Sequence, residues 1–135
     1  MKKFFVIFVL VLACSLFAEV AKVNILKEVP EEYRGTYYLC GKIVGKKSEA
    51  KKEMYMGEMQ NNTMIHMDGA VHPITEISTE VVRGIKILTV KFSATKEYFK
   101  ITQVDENFYL MYLCDEGKSK CDYTLVIRIE KNKEI

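Results

Sequence analysis

The chain has 135 residues and a mass of 15.6 kDa, room for one domain. Hydrophobic residues make up 49% and charged residues 28%, ordinary globular proportions that exclude wholesale disorder. The net charge of +2 includes Lys2 and Lys3; without them 18 basic side chains face 18 acidic ones, which excludes a nucleic-acid binder working by bulk charge.

Met1-Lys2-Lys3 is a short positive start, and residues 4–13 are an unbroken apolar run. Cys14 to Ala18 then lead to the first acid, Glu19. This is the layout of a secretory signal peptide over residues 1–18, in a bacterial style, and implies a periplasmic or secreted product. A membrane span needs about 18 apolar residues, more than this run supplies. Cleavage after Ala18 is one outcome. A lipobox at Val11-Leu12-Ala13-Cys14 is the alternative, with Cys14 lipidated and the chain attached to a membrane. An uncleaved anchor is a third.

Residues 19–32 form a charged lead-in where a short strand or a turn of helix fits. From Gly35 the chain reads as short strands divided by turn residues. Residues 36–44 are aromatic and β-branched, a strand composition. Residues 45–52 are polar and read as a loop or a short solvated helix. Residues 53–60 and 63–67 flank Asn61-Asn62, and Asp68-Gly69 follows; both pairs suit tight turns. His72 precedes Pro73 and reads as a surface residue in a loop. Residues 76–82 and 85–93 flank Arg83-Gly84. Strands over 98–104 and 107–114 follow, and the last runs over 121–130. There Tyr123, Leu125, Ile127 and Ile129 share one face, the clearest period-two pattern in the chain.

Regular short strands with tight turns predict an all-β fold. We expect a single small antiparallel meander β-barrel of about eight strands over residues 33–131, with a frayed tail at 132–135. The interior should include Tyr37, Leu88, Val90, Phe92, Phe99, Ile101, Tyr123, Leu125 and Ile127. In this reading these residues line a site for a small apolar or amphipathic ligand.

Cys114 and Cys121 stand at the shoulders of a polar hairpin loop, which predicts a disulfide between them. Cys40 is then an odd, buried thiol acting as a small core hydrophobe. No Cys-x-x-Cys occurs.

At Gly35-Thr36-Tyr37-Tyr38 the sequence resembles the Gly-x-Trp-Tyr motif that opens the first barrel strand of lipocalin-like proteins. Tyr37 stands where the family's Trp stands. The resemblance spans residues 30–131 and implies a calycin-type barrel, with Gly35 as a structural residue. It also implies that Arg128, on the last strand, stacks over the Tyr37 ring. The chain departs from the family in having no Trp and no Thr-Asp-Tyr motif. Asp105-Glu106-Asn107-Phe108-Tyr109 is a faint echo of the latter.

Five of the seven methionines lie within residues 54–67, together with His66. Thioether and imidazole suit Cu(I), so Met54, Met56, Met64 and His66 form an alternative metal site; the bland reading is core filling. His66 and His72 are six apart, no standard zinc spacing. No catalytic set, phosphate loop or cofactor motif stands out, so the expected function is non-enzymatic. Besides the ligand carrier, a second reading is an envelope protein-interaction module of inhibitor or adhesin type, meeting an envelope or host protein. That module has a solid barrel and active loops at 45–52 and 115–120. Lys42, Lys46, Lys47, Lys51 and Lys52 read as a solvated basic cluster or as a contact for an acidic surface.

Overall fold

The computed structural model describes residues 23–93, 95–118, 120–121 and 123–131. The expected signal peptide, with Cys14, and the expected frayed tail at 132–135 lie outside the described residues. These form nine strands and one 3-10 turn: β1 (Val23–Leu26), the turn (Glu31–Tyr33), β2 (Gly35–Val44), β3 (Lys47–Met59), β4 (Thr63–His66), β5 (Val71–Val82), β6 (Ile85–Phe92), β7 (Glu97–Gln103), β8 (Tyr109–Asp115) and β9 (Tyr123–Glu130).

Each strand from β2 to β9 pairs antiparallel with the next, and β2 pairs with β9. The result is a closed eight-stranded up-and-down barrel, which leaves no continuous open edge. β1 pairs along the stretch of the β4-facing edge of β5 which β4 is too short to reach, from Val23 opposite Glu80 to Leu26 opposite Ile77. The lead-in thus supplies both a strand and a turn of helix.

The turns follow their sequences. Arg83 and Gly84 both have positive φ, 52° and 80°, the mirror-image turn that matches strand twist. Gln60 and Thr63 close the Asn61-Asn62 turn with a 2.9 Å backbone bond. Residues 45–52 differ from expectation. Gly45 takes φ 62° in a two-residue turn, and β3 begins at once at Lys47. From Lys47 to Met54 this strand pairs only with β2, as a ribbon along the wall whose described side chains are exposed. A ribbon that buries neither face needs no apolar alternation, so its charged residues hid a strand. They also guard its unpaired edge.

Two bulges kink the β2–β3 pair. One leaves Cys40 without a register partner between Leu39 and Gly41; the other leaves Met56 so between Tyr55 and Gly57.

The core is concentrated toward one end. Val29, Tyr33, Tyr37, Met59, Met64, Ile77, Leu88, Ile101, Tyr109, Met111 and Ile127 are buried there together. The lead-in is strapped across this end by hydrogen bonds. Val29 N–H donates to Asn61 O at 2.8 Å, and Asn62 Nδ2 donates to Lys27 O at 2.6 Å. Arg34 Nε donates to Val29 O at 2.7 Å. The Tyr37 hydroxyl donates to Tyr33 O at 2.6 Å, and that of Tyr109 to Glu32 O at 3.3 Å. Burial drives the Tyr37 phenol well above its ordinary pKa, and pushes Tyr33 up to about 12.

Candidate functional site

The nine expected interior residues share the inner side of the barrel wall. Their register partners agree: Leu88 faces Ile101, Val90 faces Phe99, and Tyr37 faces Ile129. Burial then divides them. Tyr37, Leu88, Val90, Ile101 and Ile127 are 0% exposed, so side chains fill the barrel around them and leave no room for water. Phe92, Phe99 and Leu125 pack against that core yet are only half-buried. Tyr123, at the start of β9, is 52% exposed. Inward-pointing residues that still meet solvent mark the open end of the barrel. The strapped end is plugged, and at the opposite end, here called the cup, the inward residues stand partly open to solvent.

The cup wall is aromatic. Ring centroids run from His66 to His72 at 6.4 Å, His72 to Phe92 at 6.2 Å, and Phe92 to Phe99 at 5.3 Å. His72 is therefore no loop residue: it sits in β5, opposite Met64, half-buried against Phe92. Pro73 comes right after it at the start of β5, where a missing N–H is tolerated.

Lys42 was missed as a cup residue. The Cys40 bulge shifts the parity of β2, so Lys42 pairs with Leu125 and shares its inner side. Its Nζ lies 4.3 Å from the Tyr123 ring centroid, a cation–π contact at the mouth. An apolar wall with one cation at its lip suits an amphipathic molecule.

Arg128 does not stack on Tyr37. Its register partner is Tyr38, and both point outward; the guanidinium lies 4.5 Å from the Tyr38 ring centroid. Arg128 also donates to both carboxylate oxygens of Glu53 and pairs with Glu130 at 3.5 Å. Its hydrogen bond and charge hold the Glu53 carboxyl below the usual range. Tyr37 faces the core instead, because alternation puts adjacent residues on opposite faces. Gly35 has φ 137°, and a Cβ there would lie 2.3 Å from Glu130 O, so its place demands glycine.

The expected methionine set is spread out. Met64 is buried in the core and Met56 is half-buried at its bulge, whereas Met54 is 50% exposed. His66 is exposed, and its Nδ1 lies 3.3 Å from Asp68 Oδ1. Cys114 and Cys121 form the expected disulfide. Cys40 is free and half-buried rather than buried, because the bulge lifts it out of the wall; desolvation raises its thiol pKa. In the 115–120 loop, the Asp115 carboxylate accepts from Gly117 N–H at 2.8 Å. Lys46 and Lys47 stand exposed on the ribbon.

A second concavity lies on the outer wall, where the tall β5–β6 hairpin meets β7 and β8. It encloses about 780 Å³, and its apolar lining includes Val82, Ile85, Ile87, Val104, Leu110 and Tyr112. On β6 the outward Ile85 and Ile87 alternate with the inward Lys86 and Leu88, so the first half of its outer face is apolar.

Comparisons of the chain with protein-family models, curated proteins and solved structures find no match.

Proposed function

We propose that the chain is an exported, non-enzymatic binding protein that takes a small apolar or amphipathic molecule into the open cup of a lipocalin-like barrel. One observation carries this reading: inward residues pass from fully buried at the strapped end to half-exposed at the other. The contact set is then narrower than the whole interior. Phe92, Phe99, Leu125 and Tyr123 form the wall, and Lys42 meets a polar or anionic head at the lip. Tyr37, Leu88, Val90, Ile101 and Ile127 serve as the floor. The leader at residues 1–18 and the Cys114–Cys121 disulfide support export to a periplasmic or secreted setting. A lipidated Cys14 would keep the same barrel at a membrane.

Native mass spectrometry of protein taken from the host envelope without reductant tests this reading. The expected result is an excess of some hundreds of daltons that leaves on activation. Anilinonaphthalene sulfonate, an anionic apolar dye, should bind the emptied protein and weaken about tenfold in Tyr123→Ala and in Lys42→Ala. A bare mass together with dye binding unmoved by both variants would sink the cup. The outer groove favours a second reading, an envelope interaction module whose partner covers that apolar wall. Ile87→Asp should then abolish partner binding, with Tyr123→Ala silent.

A further inference from the structure

We propose a Cu(I) site at the rim where β4 meets β5, with the imidazoles of His66 and His72 as its two nitrogen donors. It shares the aromatic wall of the cup but uses none of the side chains assigned there to cargo, and its donor set differs from a methionine cluster with one histidine.

The turn between the two strands brings the rings together. His66 N–H donates to Ala70 O at 2.8 Å, and Gly69 N–H donates to His66 O at 2.9 Å. Asp68 Oδ1 accepts from Ala70 N–H at 2.9 Å, which pins its carboxylate inside the turn. The chain folds back so that the His66 and His72 ring centroids lie 6.4 Å apart. Two imidazoles sharing one ion at metal–nitrogen distances of about 2.0 Å have centroids roughly 5 to 6.5 Å apart. The observed separation is at the wide end of that range, the end that fits a near-linear pair.

Asp68 does more than shape the turn. Its carboxylate sits beside Nδ1 of His66, where it fixes the proton on that nitrogen. Nε2 is then the nitrogen left free to meet an ion.

The surroundings select the ion. Among the described residues no three His, Cys, Asp or Glu side chains converge, so the four-donor set that zinc prefers is missing. The adjoining strand positions carry methionines instead. Met64 is the register partner of His72, and Met56 precedes Gly57, the register partner of His66. Phe92 shields one side of His72. Two imidazoles, neighbouring thioethers and an apolar wall match a soft, low-coordinate cation.

The test is a competition against bicinchoninate, a coloured Cu(I) chelator, on the full exported chain. Ascorbate serves as reductant, since it leaves the disulfide intact. The wild-type chain should withdraw one equivalent of Cu(I). His66→Ala and His72→Ala should each weaken binding about tenfold or more, and Asp68→Asn about tenfold. X-ray absorption at the copper edge should show nitrogen and sulfur neighbours. Cys40 is the one rival soft ligand with a free thiol among the described residues, so Cys40→Ser should retain binding. Thermal melts confirm that each variant is folded; His72→Gln replaces His72→Ala if the latter melts early. Failure of the wild type to take Cu(I) from the chelator would overturn the proposal. So would full affinity in the doubly substituted His66→Ala/His72→Ala chain, or loss confined to Cys40→Ser.

Discussion

Gly57 shows how much one residue can decide. Its φ is 149°, and a Cβ would sit 2.2 Å from Ile65 O of the neighbouring strand. Across the other edge it faces Tyr37, whose ring fills the core. Gly57→Ala should cost on the order of 3 kcal/mol, read from urea unfolding midpoints. Gly84, with open space around its missing Cβ, should cost less. A second prediction concerns Tyr33. Its folded pKa is raised from 10.0 to about 12 by burial and by the Glu32 charge. A raised pKa means the folded state holds the proton longer. Its stabilisation is complete below pH 10 and is lost as pH climbs through about 12. Melting temperature should fall across that window, and Tyr33→Phe should shift the fall to higher pH. An unchanged alkaline limb would show that Tyr33 is not the group concerned. At this scale the sequence was only partly readable. Gly35 announced itself through its motif, whereas Lys42 did not, because a bulge at Cys40 reverses the parity on which every alternation argument depends. Arg128 was placed on the right strand but assigned the wrong ring, since Tyr37 and Tyr38 lie on opposite faces.

Among the elements, β6 and β9 were the most legible, because a strand crossing the core must show period two. β3 was the least legible: half of it never touches the core, and its lysines and glutamates mimic a loop. The same logic hid β5, whose start at Val71 carries His72 and Pro73, residues with turn-like reputations. The disulfide was readable because two cysteines flank a short polar loop, where β8 ends and β9 is about to begin. Its contribution also belongs to this scale. Closing so short a loop stabilises by about 2 to 3 kcal/mol. The double substitution Cys114→Ser/Cys121→Ser should lower stability by that amount while keeping the far-ultraviolet spectrum of the barrel. A larger loss, or a changed spectrum, would mean that the bond shapes the β8–β9 pair rather than only restraining the unfolded chain.

For the whole molecule, closure into a ring follows from strand count and the need to bury one face of each strand. What alternation cannot reveal is how filling varies along the barrel axis. A phenylalanine pointing inward reads the same whether it lies under a plug or at a mouth. The plug comes from the lead-in, whose bonds run between residues far apart in sequence, such as Asn62 with Lys27. The cup therefore became visible only in three dimensions. The outer groove escaped notice for a related reason: β6 bears isoleucines on the face that period two assigns to water.

The shortness of β4 has a mechanical consequence. This strand has four residues, joined to β3 by three register pairs and to β5 by three. Every other junction in the ring is longer. A hoop yields at its shortest stave, so thermal breathing should be concentrated there. Backbone amides of β4 should exchange with deuterated water well before those of β6 and β9; uniform exchange would refute this. His66 and His72 stand on the two sides of the β4–β5 junction. An ion held between them would act as a rivet across one side of the weakest stave, and copper loading should slow exchange there first.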